Sequence, residues 1–296
     1  MADPPAARPD ISAHGPALTP AVVRELAARH GVRPRKRLGQ HFVIEPTLAA
    51  RIVELADITS QDHVAEVGAG LGSLTLALAQ TGADVVAVEV DQKLMPALHE
   101  VVGAFPRVRL VSEDAVRIDW SAVLDSAGPW KMVANLPYNV AVPVIMRVLE
   151  HEQRVERLLV MVQKEVGERL VAAPGDEQYG AVSLRVAYRA EGRVVRRVPR
   201  TVFWPQPNVD SVLVSLVRRP PPVDVDEEAL WRVVNEAFGQ RRKTMVNALI
   251  RLGAGRDDAE SLVRQCGPDL RVRPEQLGLP EFACLAEGLG SLTRPP

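Results

Sequence analysis

From His63 onward, short apolar runs rich in β-branched residues alternate with segments that have the residue spacing of helices. These runs predict buried strands at residues 64–67, 85–90, 108–111, 131–134 and 158–162, with two closing strands at 182–188 and 212–217. Near-continuous apolar strands separated by helices are typical of a mostly parallel sheet that is covered on both faces. The sequence therefore predicts an α/β fold with a mostly parallel seven-stranded sheet.

The two ends of the chain have a different character. Residues 1–18 are rich in Pro, Ala and Gly and lack periodicity, which predicts a disordered tail. A proline cluster at 220–222 precedes four helical patterns, at residues 227–238, 242–252, 257–266 and 280–289. We therefore expect the α/β domain, with its N-terminal helix and basic loop, at 19–219 and a small all-helical domain at 220–296.

Composition limits the classes of function. Lys and Arg (36) nearly balance Asp and Glu (37), so net charge neither requires nor excludes a polyanionic partner. No apolar run approaches the roughly 18 residues of a membrane span, and the Pro/Ala-rich start does not have the pattern of a signal peptide. Cys266 and Cys284 have no Cys or His nearby at metal-ligand spacing, so we expect reduced core residues. These features predict a cytoplasmic protein without a membrane segment or a metal, and nothing indicates more than a monomer.

Three consecutive strand ends carry residues suited to an adenosine-containing ligand. A glycine turn, Gly68-Ala69-Gly70-Leu71-Gly72, follows the first strand and opens a helix, although such a turn is also compatible with a plain tight connection. Glu89 ends the second strand, where a carboxylate can bind both hydroxyls of a ribose, or can simply precede a helix capped by Asp91. Asp114 follows the third strand. A nicotinamide dinucleotide and S-adenosylmethionine both fit, and the position of the third glycine favours the methyl donor.

The segment Asn135-Leu136-Pro137-Tyr138-Asn139 follows the fourth strand at the same sheet edge. The Asn135 oxygen and the Leu136 and Pro137 carbonyls can accept hydrogen bonds from an exocyclic amine. Tyr138 offers a face for stacking an unpaired base, worth roughly 1 to 3 kcal/mol. The competing interpretation is an ordinary Asn-Pro turn with a half-buried tyrosine.

Six segments in chain order carry a resemblance to a known family: GQHFV, EVGAGLGSLT, VEVD, EDA, NLPYN and FWPQPNVDS. Together, over residues 34–250, they resemble the ribosomal RNA adenine N6,N6-dimethyltransferases of the small-subunit type. The resemblance implies a Rossmann-like methyltransferase domain with a helical C-terminal domain. It also implies transfer of four methyl groups from S-adenosylmethionine to two adjacent adenosines in the 3'-terminal hairpin of 16S rRNA, within the 30S subunit or its precursor.

The same resemblance implies roles for individual residues. Gly68 and Gly70 would approach the methionine part of the donor, Glu89 its ribose and Asp114 its adenine amine. The full implied donor set is Gln40, His41, Val43, Gly68, Gly70, Glu89, Asp114, Ala115 and Asn135. The implied catalytic set is Asn135, Leu136, Pro137, Tyr138 and Phe203. Phe203 would line the target-base pocket, and its other interpretation is a hydrophobic anchor beneath a proline-rich loop.

Three positions depart from the family pattern. His41 and Val43 stand where the family usually has Asn and Leu, and Ala69 stands where it usually has Pro. The His41 ring can still donate a hydrogen bond, and Val43 can still contribute its backbone.

Basic residues cluster in three segments that we expect to flank the active edge. The predicted RNA contacts are Arg35, Lys36, Arg37, Arg196, Arg197, Arg241, Arg242 and Lys243. One such cluster is usually a solvated face, whereas three around one edge favour a surface that contacts phosphates and positions rRNA.

Two alternatives stay open from the sequence. One is a large-subunit rRNA adenine methyltransferase of the antibiotic-resistance type, which shares NLPYN-like chemistry. The other is a non-catalytic RNA-binding assembly factor that keeps the fold. The Phe203–Ser211 stretch and the helical tail favour the small-subunit enzyme over the first. The intact set of Glu89, Asn135, Pro137 and Tyr138 argues against the second.

Overall fold

The computed structural model of the chain describes residues 18–35, 38–124, 128–240 and 243–293. The described residues form two compact units. The first contains the chain up to Gly167 together with Arg193–Arg218. The second contains Glu168–Gly192 and the chain from Arg219 onward.

The strands form two sheets, one of seven strands and one of two. In chain order they are β1 (Phe42–Val43), β2 (His63–Val67), β3 (Asp84–Val88), β4 (Val108–Val111), β5 (Trp130–Asn135), β6 (Val155–Gln163), β7 (Ala190–Val198), β8 (Phe203–Trp204) and β9 (Ser211–Arg218). The large sheet has the order β4-β3-β2-β5-β6-β9-β7. The first five strands across the sheet (β4, β3, β2, β5 and β6) are parallel to one another, and β9 is antiparallel to β6. The predicted mostly parallel seven-stranded sheet is therefore confirmed.

Helices connect these strands. They are α1 (Pro20–Arg29), α2 (Pro46–Leu55), α3 (Ser73–Ala79), α4 (Met95–Val102), α5 (Trp120–Val123), α6 (Ala141–His151) and α7 (Lys164–Val171). Their starts follow from local chemistry: Thr19 caps α1 through its side chain, and Pro20 supplies the first helical residue. Strands β2, β3 and β5 are largely buried, as in β3, where four of five residues are buried.

Parallel strands place their carboxyl ends at one edge of the sheet. Ala65 of β2 lies opposite Val86 of β3 and Met132 of β5, so β2, β3 and β5 end close together. The residues that follow these ends are therefore neighbours in space. This edge carries the candidate site.

The prediction of a strand at residues 182–188 is wrong. These residues belong to helix α8 (Ala181–Arg189), and the strand that follows is β7. The run Val182-Ser183-Leu184-Arg185-Val186 alternates between apolar and polar residues, but a short run of this kind also fits one buried helix face. The real edge strand was missed because its residues 193–197 are Arg-rich and largely exposed.

The second unit is helical in its described part. Besides α8 it contains α9 (Glu227–Gly239), α10 (Met245–Arg251), α11 (Arg256–Cys266) and α12 (Leu279–Thr293). Its core gathers Leu230, Val234, Leu249, Phe282 and Leu285, all fully buried. The chain crosses from the first unit into the second after Arg218, and residues 168–192, which we expected within the α/β domain, also group with the second unit. Tyr179, Leu184 and Tyr188 explain this, since they pack into the same helical core.

The two cysteines correct another prediction. Cys266, at the end of α11, and Cys284, in α12, form a disulfide with their Cα atoms 5.7 Å apart, so they are not free thiols. Both are half-buried. Packing of α11 against α12 brings them together, and a separation of 18 residues in the sequence does not reveal that packing.

Within the described residues, no helix has the length and apolar character needed to cross a membrane.

Candidate active site

A cleft lies at the carboxyl edge of the large sheet. The side chains and backbone that line it come from the segments before β1, after β2, after β3 and after β5. They are Leu38, Gly39, Gln40, His41, Phe42, Val43, Glu66, Gly68, Ala69, Gly70, Leu71, Ser73, Leu74, Glu89, Val90, Asn135, Leu136, Pro137 and Tyr138. The cleft thus brings together most of the predicted donor and catalytic residues, which lie up to about a hundred positions apart in the chain.

The glycine turn forms the floor of the cleft. Gly68, Gly70 and Gly72 have φ angles of 76°, 59° and 88°, which side chains rarely tolerate. A Cβ on Gly70 would lie 2.9 Å from the Phe42 ring, and a Cβ on Gly68 would lie 3.1 Å from Pro137. Only glycine therefore allows the turn and its neighbours to pack this closely.

Glu89 is buried, with 6 % of its surface exposed, and both of its carboxylate oxygens accept backbone hydrogen bonds. The Gly70 N–H donates to Oε2 at 2.9 Å, and the Asp91 N–H donates to Oε1 at 2.9 Å. Burial raises the pKa of Glu89 and these two hydrogen bonds act in the opposite direction. The Val90 backbone also lowers the pKa of Glu89 through a hydrogen bond, and the carboxylate still lines the cleft.

Glu66 is a further acid in the cleft that we did not predict. It lies within β2, is 1 % exposed, and its Oε2 accepts no hydrogen bond in the described part of the chain. Burial raises its pKa to about 8, the Thr75 side chain acts against this rise, and the charge of nearby Glu89 adds to it. An acid in the otherwise apolar run His63–Val67, directly before a glycine turn, was the sequence signal.

Gln40 and Arg35 are engaged with Asp91 in this structure. The Gln40 amide nitrogen donates to Asp91 Oδ2 at 2.9 Å, and its oxygen accepts from the Arg35 N–H at 2.8 Å. The Arg35 guanidinium lies 3.5 Å from Asp91 Oδ1. Asp91 is only 6 % exposed, so this buried carboxylate anchors the loop that precedes β1. Gln40, predicted to bind the donor, and Arg35, predicted to bind RNA, both contribute to that anchor.

The Asn135 side chain lines the cleft and contacts the loop before β1. Its Nδ2 donates to the His41 carbonyl oxygen at 3.0 Å. Because a carbonyl only accepts hydrogen bonds, this contact fixes which end of the amide faces His41. The Asn135 oxygen is therefore the end left for a ligand.

Tyr138 is held at two points. Its hydroxyl is hydrogen-bonded to the Ser211 hydroxyl at 2.8 Å, and its ring lies 5.2 Å from the His41 ring at an interplanar angle of 32°. Burial raises the pKa of Tyr138, so the phenol stays protonated and available as a donor. The ring therefore has a fixed orientation at the mouth of the cleft.

A second cavity adjoins the first and shares five lining residues with it, namely Leu38, Gly68, Glu89, Val90 and Pro137. Asp114 and Ala115 line this second cavity. The Val116 N–H donates to Asp114 Oδ1 at 3.0 Å, and the Ala115 carbonyl accepts from the Trp120 indole at 3.2 Å. Val90 lies between the buried acids Glu89 and Asp91, and its own side chain is exposed. It lines both cavities and gives them an apolar surface, which we did not predict from the sequence.

Two predicted site residues, Phe203 and Val43, have side chains buried in a hydrophobic core. Phe203 is 2 % exposed and packs in a hydrophobic core with Val43, Leu48 and Leu213, and it is absent from the cleft lining. This corresponds to the hydrophobic-anchor interpretation of Phe203. The Val43 side chain shares that core, while its carbonyl accepts a hydrogen bond from Ser73 at 2.7 Å.

Apart from Arg35, which lies beside Asp91, the predicted RNA contacts fall into two groups. Lys36, Arg37, Arg241 and Arg242 lie outside the described residues. Arg196 and Arg197, in edge strand β7 of the first unit, and Lys243, in the second unit, have exposed side chains. Among the described residues there is no group of three or more His, Cys, Asp or Glu side chains arranged to hold a metal ion.

The match to known proteins agrees with this geometry. A family model described as Ribosomal RNA adenine dimethylase matches residues 31–276. The chain belongs to this family. The predicted resemblance is thereby confirmed, and so is the assignment of the chain as an rRNA adenine dimethyltransferase.

Relatives in the family cover nearly the whole chain. Ribosomal RNA small subunit methyltransferase A of Thermobifida fusca is 49% identical over 282 residues, which are 93% of this chain and 97% of the relative. The protein of the same name from Geobacillus thermodenitrificans is 40% identical over 95% of this chain and 99% of its own.

Solved structures support the fold. A dimethyladenosine transferase from Plasmodium falciparum superimposes with a TM-score of 0.72 at 22% identity, covering 85% of this chain and 98% of that one. The 23S rRNA methyltransferase ErmE has a TM-score of 0.62 at 25% identity, covering 84% of this chain and 99% of that one. The Rossmann-like methyltransferase fold is therefore confirmed.

Proposed function

We propose that this protein transfers methyl groups from S-adenosylmethionine to the N6 atoms of two adjacent adenosines in the 3'-terminal hairpin of small-subunit (16S) rRNA, during 30S ribosome biogenesis. The observation that carries the proposal is the Asn135 amide, whose nitrogen is committed to His41 and whose oxygen is left for a ligand beside the glycine turn. The names of relatives that are 40–49% identical over most of the chain support the small-subunit substrate.

The two adjoining cavities suit the methyl donor. Glu89, at their shared wall, would accept hydrogen bonds from the ribose hydroxyls, and Val90 would offer an apolar face to the adenine ring. Asp114 and Ala115 would bind the adenine amine in the second cavity. Glu66 and the backbone of Gly68 and Gly70 would face the methionine part, whose ammonium favours ionised carboxylates. When bound, S-adenosylmethionine supplies a methyl group on a positively charged sulfur.

The target amine would be held by the Asn135–Tyr138 segment. The Asn135 oxygen and the Leu136 carbonyl accept hydrogen bonds from the two N6–H groups, which directs the nitrogen lone pair out of the base plane. Tyr138 provides the stacking surface, and its fixed ring reduces the entropy lost when the base is positioned. The base must be unpaired or flipped to reach this point. No residue in this scheme acts as a strong base.

The exposed arginines of β7 and Lys243 would contact rRNA phosphates, together with the basic residues predicted at 36–37 and 241–242. Such contacts position the RNA and leave base choice to the cleft. A cytoplasmic location, a monomeric state and the absence of a metal requirement are part of the same proposal.

Methyl transfer to isolated subunits tests the proposal. Purified protein is incubated with radiolabelled S-adenosylmethionine and with 30S or 50S subunits from cells that lack this methylation. We expect label in 16S rRNA alone, recovered as N6,N6-dimethyladenosine, with about four methyl groups per subunit for two doubly methylated adenosines. Label in 23S rRNA would favour the large-subunit alternative, and no label in either RNA would favour a non-catalytic assembly factor.

A further inference from the structure

His41 stands where the family usually has Asn, and its imidazole contacts the target-facing segments of the site. We propose that the His41 side chain is a positioning residue that joins the Asn135–Tyr138 segment to the Trp204-Pro205 segment and thereby sets the position of the target base. This inference rests on the proposed function, because it concerns the target side of the same cleft.

The first contact of His41 is made by its backbone. The carbonyl oxygen of His41 accepts the Asn135 Nδ2–H at 3.0 Å and fixes the direction of the amide. Any displacement of His41 therefore changes where the Asn135 oxygen points. Gly39 allows this close approach, because a Cβ at that position would lie only 3.1 Å from the Tyr138 nitrogen.

The second contact is a side-chain hydrogen bond to Pro205. His41 Nδ1 lies 2.7 Å from the Pro205 carbonyl oxygen, so Nδ1 carries the proton and donates. Strands β1 and β8 are antiparallel, with Phe42 opposite Trp204. Continuing this register by one residue places His41 opposite Pro205, which has no N–H to extend the ladder. The imidazole thus supplies a hydrogen bond at the point where the backbone pairing ends.

The third contact is between rings. The His41 and Tyr138 ring centroids are 5.2 Å apart, so the imidazole supports the tyrosine on which the base would stack. The Tyr138 hydroxyl is held separately by Ser211, which is fully buried. Ser211 and His41 therefore contact Tyr138 at two separate points, the hydroxyl and the ring.

Together these contacts assign the imidazole to the target side. Its Nδ1 is committed to Pro205 and one ring face to Tyr138, whereas the acids and glycines suited to the donor contact other residues. Loss of the side chain should therefore disturb the alignment of the base more than the affinity for the donor.

Two near-isosteric variants separate the two side-chain contacts. His41→Asn keeps an N–H donor at the δ position and loses the ring, while His41→Phe keeps the ring and loses the donor. His41→Ala removes both. His63 provides a matched control at the opposite edge of the sheet, since its ring lies 5.2 Å from that of Trp130 at 37°. We compare His63→Asn and His63→Phe with the His41 variants after thermal melting has verified that each is folded.

The readouts are kcat and KM with 30S subunits, the dissociation constant for S-adenosylmethionine, and the ratio of monomethylated to dimethylated adenosine in the product. We expect kcat to fall on the order of 10- to 100-fold in His41→Ala and less in His41→Asn and His41→Phe. KM and donor affinity should change less than about threefold. The monomethylated fraction should rise, because a monomethylated N6 has only one N–H left to hold and its alignment depends more on stacking against Tyr138. The His63 variants should match the wild type.

Several outcomes would overturn the inference. Wild-type kcat and product ratio in all three His41 variants would show that the imidazole has no positioning role. A loss of donor affinity that accounts for the whole rate change would assign the side chain to the donor site. An unfolded His41→Ala leaves the test to His41→Asn and His41→Phe. If the wild-type protein itself transfers no methyl group, the proposed function fails. If the wild type and all His41 variants transfer methyl groups equally well, only the inference about His41 fails.

Discussion

The Gly70 N–H donates to the Glu89 carboxylate across 2.9 Å, so the glycine turn and the acid of the neighbouring strand form one hydrogen-bonded unit. The Asp91 N–H donates to the other Glu89 oxygen. In Glu89→Gln only one of these two positions is an oxygen, so the amide N–H would face one of the two backbone N–H donors. We expect the affinity for S-adenosylmethionine to fall about 10- to 100-fold, from the loss of a charge-assisted hydrogen bond of roughly 1.5 to 3 kcal/mol.

Isothermal titration calorimetry measures this change. Asp84→Asn is the matched control, because Asp84 begins the same strand at the opposite sheet edge. Equal donor affinities for Glu89→Gln and the wild type would remove Glu89 from the donor site.

Glu66 should make stability depend on pH. Its pKa is about 8 in the folded protein, against an ordinary value of 4.5. The folded state therefore holds a proton that the unfolded state releases between these two values, and stability falls as pH rises from about 4.5 to about 8. The slope approaches roughly 1.4 kcal/mol per pH unit in this window.

Urea unfolding at several pH values between 5 and 8 tests the Glu66 prediction. Glu66→Gln, which resembles the protonated acid, should lose this part of the slope and be more stable than the wild type near pH 8. Glu156→Gln, at an exposed position of β6, should keep the wild-type slope. Parallel stability curves for Glu66→Gln and the wild type would contradict the raised pKa.

Asn135→Ala should abolish methyl transfer while leaving binding to the 30S subunit intact. The substitution removes the amide oxygen that would accept the N6 amine and frees the His41 carbonyl, so we expect at least a 10²-fold lower rate. Single-turnover transfer and filter binding give the two quantities. Asn235→Ala in α9, where the amide oxygen accepts a hydrogen bond from Arg185 at 3.4 Å, is the control. Equal transfer rates for Asn135→Ala and the wild type would refute the mechanism.

Replacing Arg196 and Arg197 by Ala should weaken subunit binding and flatten its dependence on salt. Two lost phosphate contacts lower the slope of log K against log salt by about 1 to 2. Donor affinity should stay unchanged. Arg256→Ala with Arg264→Ala removes the same charge from helix α11, where both arginines pair with Glu260, and should keep the wild-type slope. An unaltered slope in the β7 variant would take that strand out of the RNA interface.

Phe203→Ala should lower the free energy of unfolding by about 3 to 5 kcal/mol, because the ring is buried in a hydrophobic core. Urea denaturation checks this value, with Val209→Ala at an exposed neighbouring position as the control. Phe203→Leu keeps most of the buried volume. If Phe203→Leu is fully stable but transfers methyl groups far more slowly, the ring has the target-base role that the family resemblance implies.

The sequence predicted those parts of the fold in which residue pattern and environment agree. Strands β2, β3 and β5 are largely buried, and this burial appears in the sequence as short, mostly apolar runs. Helix α8 was missed because a short run of alternating residues fits a strand equally well. Strand β7 was missed because an exposed edge strand has no apolar run to mark it.

The sequence predicted those site residues that lie in recognisable motifs. It missed the features that depend on how distant segments pack together. Glu89 and Asn135 lie in recognisable segments, and both line the cleft. Burial of Phe203, the disulfide between Cys266 and Cys284, and the use of Gln40 to hold Asp91 all depend on contacts between distant segments. Sequence spacing does not encode such contacts.

The two adjoining cavities, which share five lining residues, have a consequence for inhibitor chemistry. A fragment in each cavity would touch the same wall at Glu89 and Val90, so a short covalent linker is enough to connect the two. Tethering makes the second binding event intramolecular, with an effective concentration in the millimolar range for a short flexible linker. Weak compounds found separately for the two halves can therefore be merged into one tight ligand without a new contact to the protein.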